Sequence, residues 1–234
     1  MKMRLGSALV LASALMLGAS FLAIAQDHPE HPKKNAQPTK PEFSADDQQK
    51  MMEAWAAVAN PGEPHKLLAS MVGEWDVTMR MYPAGPDGPT VESKGKSVIE
   101  SVFGGRFIVE HSKGEFQMPG NDGTMQTMSF EGMGTTGYDN NQKSYISTWA
   151  DSMGTTMVIS RGTFNPTNPN EMYLYGTMDE PGLGMINRMT SFHKKIVDND
   201  HFVGTMYDLA ISPDYKVMEL EYTRVKPTHA PAEK

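Results

Sequence analysis

The chain has 234 residues, of which 21 are basic and 28 acidic, so its formal net charge is −7. An acidic chain without a basic cluster is a poor partner for nucleic acid or for anionic lipid. The absence of cysteine excludes disulfides, lipoprotein attachment and a cysteine nucleophile.

Residues 1–25 have the three parts of a secretory signal peptide. Lys2 and Arg4 give a basic start, residues 9–24 are apolar, and Ala23-Ile24-Ala25 is a small-x-small cleavage site. The alternative is a retained membrane anchor, but the apolar core is shorter than the roughly 20 residues that span a bilayer. The sequence therefore predicts cleavage and export, to the periplasm first and the extracellular medium second, with no membrane span afterwards.

Residues 26–43 are rich in Pro, Lys and His, and they predict a flexible tether. After cleavage the chain would begin Gln26-Asp27-His28. The free amine, two backbone amides and the imidazole of His28 could together bind Cu(II) in a square-planar site. The alternative is a solvated linker that contains a histidine by chance. No other metal site and no cofactor is predicted.

Residues 44–70 are predicted to form short N-terminal helices. Ser44 is a suitable N-cap, and Asp46 and Asp47 place negative charge in the first turn. Apolar residues follow at helical spacing until Asn60-Pro61-Gly62 stops the helix. A second short helix is predicted from Pro64 to Ser70.

The stretch 71–82 predicts the first strand. Trp75, Val77, Met79 and Met81 alternate with polar residues, which is the period of a strand with one buried face. The same four residues would be scattered around a helix.

Residues 71–226 read as ten strands joined by short turns, followed by a polar tail at 227–234. Short connections make neighbouring strands antiparallel, and closure would remove the two exposed edges of such a sheet. The predicted fold is therefore all-β, a ten-stranded antiparallel up-and-down barrel, with a two-sheet sandwich as the alternative. The predicted strands are 71–82, 91–103, 106–116, 124–133, 143–150, 155–164, 171–178, 185–197, 201–211 and 215–226.

A Gly-x-Trp that opens the first strand of a barrel resembles the calycin superfamily, which includes the lipocalins. The resemblance implies that Trp75 closes the base of the barrel and that an arginine near the barrel's end lies across it. Arg224 shares a face with apolar residues of the last strand, so it is the predicted partner in a cation–π contact. The alternative is an ordinary surface arginine.

A second resemblance covers about residues 64–225. The segments LLASMVGEW, FGGRFIVE and GYDNNQKSYISTW, in this order, resemble the exported bacterial family known as domain of unknown function 1579. That family implies a fold but no activity. A more distant resemblance to the haem-binding nitrobindins fails at Val77 and Met79, which stand where that group has glycines, so no haem is predicted.

No enzyme motif is present, and the candidate residues are therefore those of a ligand pocket. His193 shares a strand face with Met185, Asn187 and Met189, which could point into the barrel, but a hydrogen-bonded or solvent-facing histidine is the simpler interpretation. Aromatic and methionine positions suit either a pocket or a filled core. The pocket candidates are Trp75, Met79, Tyr145, Trp149, Met157, Met189 and His193.

Three functions remain open from the sequence. The first is a barrel that binds a small apolar or amphipathic molecule. The second is a filled barrel that acts as a structural or interaction protein of the cell envelope, for which no particular protein partner is indicated. The third is an enzyme with an interior histidine or carboxylate, which no sequence motif supports.

Overall fold

A computed structural model of the chain describes residues 43–119, 124–165, 167–181 and 184–226. The predicted leader, the tether with His28 and the tail lie outside the described residues. The fold below is that of the second of two units into which the chain divides, Ser44–Lys234.

The second unit contains two helices followed by ten strands. The helices are α1 (Ala45–Ala59) and α2 (Glu63–Ser70). The strands are β1 (Gly73–Met81), β2 (Val91–Val102), β3 (Phe107–Pro119), β4 (Met125–Asp139), β5 (Ser144–Asp151), β6 (Val158–Asn165), β7 (Asn168–Glu180), β8 (Met185–Ile196), β9 (His201–Asp208) and β10 (Lys216–Arg224).

Every strand pairs antiparallel with its sequence neighbours, and β1 also pairs with β10. The β1–β10 register runs from Trp75 opposite Arg224 to Met81 opposite Met218. This last pairing closes the sheet, so neither terminal strand is left with unpaired backbone groups. The predicted ten-stranded antiparallel barrel is confirmed, and the sandwich is excluded.

The two helices have different environments. In α1 the Ser44 hydroxyl accepts the backbone N–H of Asp47 in a capping box, and none of the helix's residues is buried. At its C-terminal end Asn140 Nδ2 donates to the carbonyl oxygens of Val58 (3.0 Å) and Asn60 (2.7 Å). In α2, by contrast, Leu68 is fully buried, so α2 plugs one end of the barrel.

The β4 strand continues to Asp139, well past its predicted end at Met133. The extension is rich in Gly and Thr, and such a composition favours a turn on sequence grounds alone. In the barrel Gly134 has a packing function, because a Cβ there would lie 2.8 Å from Cε3 of the Trp149 ring. A composition that suits a loop is therefore used for close packing in a strand.

The apolar core fills the half of the barrel next to α2. Side chains from α2 and from strands all round the barrel meet there. The buried core residues are Leu68, Met71, Trp75, Ile99, Ile108, Tyr145, Met172, Leu174, Phe202 and Tyr222. This half is referred to below as the closed half, and the remainder of the lumen as the open half.

Candidate binding site in the barrel lumen

The inward face of each strand follows from Trp75, which is buried in the core. Directly paired residues of antiparallel strands point to the same side of a sheet, so the register carries this face around the barrel. By this register Met79, Tyr145 and Trp149 point inward with Trp75. These four pocket candidates are brought to one lumen.

The other three candidates do not face the lumen, which corrects the expectation that they line a pocket. Met157, just before β6, and Met189, on the outer face of β8, are 56% and 55% exposed. His193 packs between the rings of Tyr173 and Tyr207, at centroid distances of 4.5 and 4.8 Å. In β8 the inward positions are those of Thr190, Phe192 and Lys194, which alternate with Met189 and His193 along the strand. The methionines and His193 suggested that their side of β8 faces the interior, but the register with the neighbouring strands turns the alternate residues inward.

Arg224 and Trp75 meet at the closed end. The guanidinium carbon lies 4.1 Å from the centre of the indole ring, as in a cation–π contact. Arg224 also donates hydrogen bonds to the carbonyl oxygens of Ser70 (2.9 Å), the last residue of α2, and of Val72 (2.7 Å), just after it. The same guanidinium covers Gly73, where any Cβ would collide with it. The glycine of the Gly-x-Trp motif therefore makes room for the arginine.

A buried polar cluster separates the closed half from the open half, and it is referred to below as the polar floor. Its centre is Glu110 of β3, which is 6% exposed. Glu110 Oε1 accepts hydrogen bonds from Tyr222 OH (2.9 Å), Ser97 Oγ (2.8 Å) and Ser112 Oγ (3.2 Å). Burial, and then the neighbouring carboxylate, raises the pKa of Tyr222 well above its ordinary value, so this phenol remains a donor.

Lys194 completes the polar floor from the opposite side of the barrel. Its Nζ lies 3.7 Å from Glu110 Oε2, and the residue is 8% exposed. The two opposite charges are far apart in sequence, on β3 and β8, and each points inward among apolar neighbours. No sequence signal distinguished them from the charged residues of the outer face, so both were missed.

One wall of the open half is aromatic. The rings of Phe130 and Trp149 are stacked with centroids 6.4 Å apart, and Phe116 meets Phe130 edge-on at 6.4 Å. Trp149 Nε1 donates to the carboxylate of Asp151 (2.9 Å). The indole N–H is therefore satisfied, and the ring is held in place.

The facing wall is rich in methionine. Met79 and Met81 of β1, with Met206 and Met218 on neighbouring strands, all point inward by the register. Met81, and Met128 of β4, which points inward beside the aromatic wall, are nevertheless 41% and 40% exposed. Inward side chains with this exposure are in contact with solvent through the mouth of the barrel. The lumen is therefore open at the end opposite α2.

A surface cavity of about 410 Å³ adjoins this mouth, between the β7–β8 hairpin and the β9–β10 loop. It is lined mainly by Met185, Ile186 and Met189. At its edge Arg188 Nε donates to Asp208 Oδ2 at 2.5 Å, and both side chains are about nine-tenths buried. The charges of Arg188 and Asp208 are therefore paired with each other at the mouth of the barrel.

The described residues contain no group of three or more metal-ligating side chains that could hold an ion. None of the helices in the described ranges is long and apolar enough to cross a membrane. What remains is a barrel with one plugged end, one open end and a charged floor between them.

Fold and site together define a closed antiparallel barrel protein with a half-open lumen. The family described as "Protein of unknown function (DUF1579)" matches residues 60–224. The chain therefore belongs to this family, in agreement with the three segments recognised in the sequence. A search of the curated proteins found no match.

Solved structures with a similar fold share little sequence with this chain. Rv2717c from M. tuberculosis is 15% identical, covering 71% of this chain and 100% of that chain, with a TM-score of 0.47. The S-type phycobiliprotein lyase CPES from Guillardia theta is 9% identical, covering 69% and 92%, with a TM-score of 0.42. A redesigned beta barrel, b11L5F_LGL, is 16% identical, covering 68% and 96%, with a TM-score of 0.34. Similarities at this level carry no argument about function.

Proposed function

We propose that this protein binds a small apolar or amphipathic molecule in the open half of its lumen. The observation that carries the proposal is the partial exposure of inward-facing apolar side chains, such as Met81 and Met128, beyond a fully packed closed half. Aromatic and thioether walls offer a large apolar contact area, and ligand sites in proteins typically combine such walls with a few polar groups. The polar floor supplies those groups.

The two other functions have less support. A filled barrel would bury its inward apolar side chains along its whole length, whereas here the fully buried apolar core lies in the closed half and Met81 and Met128 near the mouth are 41% and 40% exposed. The enzyme considered from the sequence would use an interior histidine or a free carboxylate. Glu110 Oε1 already accepts hydrogen bonds from three hydroxyl groups, and the described strands carry no inward-facing histidine.

We further propose that the binding takes place outside the cytoplasm, after cleavage behind Ala25. The support is the leader itself, with its basic start, apolar core and small-x-small cleavage site. A periplasmic location is favoured over the extracellular medium.

Native mass spectrometry tests binding and export on one sample. The full chain is expressed with its leader in a bacterium and purified from the periplasmic fraction. The expected mass is that of a chain beginning at Gln26, together with a second species that carries a non-covalent adduct. A cytoplasmic chain of full mass would contradict the export proposal.

A fluorescent probe tests the lumen itself. N-phenyl-1-naphthylamine is apolar and uncharged, and we expect it to bind with enhanced emission. Ser93→Phe places a bulky ring on an inward position of β2 and should abolish the signal, whereas Lys94→Phe, on the outward neighbour, should retain it. Absence of binding by the wild-type protein, or equal binding by both variants, would refute a ligand site in the lumen.

A further inference from the structure

Lys194 is a largely buried cation that donates no hydrogen bond to any residue the structure describes. An ammonium group has three N–H donors. Within the described part of the chain the nearest carboxylate oxygen is Glu110 Oε2 at 3.7 Å, which is an ion-pair distance but too long for a hydrogen bond. The ammonium nitrogen itself is not fully buried, so water in the lumen can reach it, and a ligand that supplies an acceptor would take the place of that water.

The described part of the protein does not supply that acceptor within hydrogen-bond distance. Glu110 Oε1 is already occupied by Tyr222, Ser97 and Ser112, which orient the carboxylate from the other side. The Lys194 ammonium also lies 5.8 Å from the centre of the Phe192 ring, an apolar neighbour that offers no lone pair. The unused N–H groups therefore belong to the part of the polar floor that a ligand in the lumen would meet.

The charges of the polar floor restrict which acceptor fits. Glu110 and Lys194 sum to zero, so the site is already neutral. A ligand carboxylate would satisfy the ammonium but would lie near Glu110 in a medium of low dielectric constant, where like charges repel strongly. A ligand amine would meet Lys194 with the same disadvantage. A neutral oxygen acceptor satisfies the ammonium and adds no charge.

We propose that the polar end of the ligand is an uncharged carbonyl oxygen, as in a ketone, ester or amide, which accepts a hydrogen bond from Lys194 Nζ. The inference rests on the proposed function, because it identifies the chemistry recognised at the base of the same lumen. The stacked Phe130 and Trp149 rings add a preference for a flat conjugated body on the apolar side.

Three naphthalene compounds with the same dimethylamino group test the carbonyl directly. The first carries a propionyl ketone, the second a propyl chain of the same length, and the third a carboxylate. Each is titrated against wild-type protein that has been loaded with N-phenyl-1-naphthylamine, and displacement gives its relative affinity. We expect the ketone to bind at least about tenfold more tightly than the propyl compound, as for a hydrogen bond from a charged donor, and more tightly than the carboxylate.

Variants of the polar floor assign that preference to Lys194. Lys194→Met removes the donors but leaves Glu110 unpaired, so the double variant Lys194→Met/Glu110→Gln is included to keep the site neutral and the chain folded. In both variants the ketone and the propyl compound should bind within about threefold of each other, since the charged hydrogen bond is gone. Lys195→Met, on the exposed neighbour that pairs with Glu171, should retain the full preference.

The outcomes separate the two proposals. If N-phenyl-1-naphthylamine binds but the wild-type protein does not distinguish ketone from propyl, or prefers the carboxylate, the carbonyl inference is refuted while the binding function stands. A ketone preference that survives in the folded double variant would also refute it. If the probe itself fails to bind, the lumen is not a ligand site and both proposals fall.

Discussion

Replacing Arg224 by alanine should destabilise the protein by about 3.5–4 kcal/mol. The guanidinium makes one partly buried hydrogen bond to the Val72 carbonyl, which we count at about 1.5 kcal/mol for a charged donor. Its bonds to the Ser70 and Asn199 carbonyls are exposed, so water replaces them in part and we count each at about half that value. The cation–π contact with Trp75 adds about 0.5–1 kcal/mol.

Equilibrium unfolding in urea, followed by circular dichroism, measures this loss. Arg224→Lys keeps the charge but not the planar fork, so it should fall between wild type and Arg224→Ala. Arg161→Ala is the matched control, because this exposed arginine donates one bond, to Gln142, and its loss should cost less than about 0.5 kcal/mol. An Arg224→Ala loss below about 1 kcal/mol, or one no larger than that of the control, would show that Arg224 does not join β10 to the segment after α2.

Two further predictions concern the outer face and the aromatic wall. Burial lowers the pKa of His193 below its ordinary value of 6.5, so the unfolded chain takes up this proton more readily, and stability should decrease as the pH falls from about 7 to about 5. His193→Gln should remove part of that decrease in urea unfolding, and an unchanged pH dependence in His193→Gln would contradict the prediction. Gly134→Ala should cost about 1–3 kcal/mol and shift the Trp149 emission, because the new methyl group forces the indole ring to move. Gly154→Ala, where a Cβ meets nothing closer than 3.9 Å, should change neither, and equal stabilities of the two variants would refute the packing argument.

The fold could be predicted from patterns in the sequence because each of these patterns has a local physical cause. The alternation of Trp75, Val77, Met79 and Met81 could only bury one face in a strand, and short turns could only join antiparallel neighbours. The closing pair, Trp75 opposite Arg224, was foreseen through the Gly-x-Trp resemblance. Where composition and packing disagreed, as in the glycine-rich end of β4, sequence reasoning ended the strand too early.

The candidate site could be predicted only in part. Tyr145 and Trp149 were placed together because they share a face of one strand, and that relation is visible in sequence. For β8, apolar character favoured the face of Met189 and His193, whereas the barrel turns Lys194 inward. A burial pattern with period two gives two equivalent faces, and when both carry apolar residues only the register with the neighbouring strands decides between them.

The sequence by itself determined that this chain forms a series of antiparallel strands, because strand period and turn length are local properties. Tertiary structure alone decided that the closed half is packed, that the open half is accessible, and that Glu110 and Lys194 meet between them. These two charges are distant in sequence and would each be costly to bury alone. Their pairing depends on closure of the barrel, which no local pattern along the chain encodes.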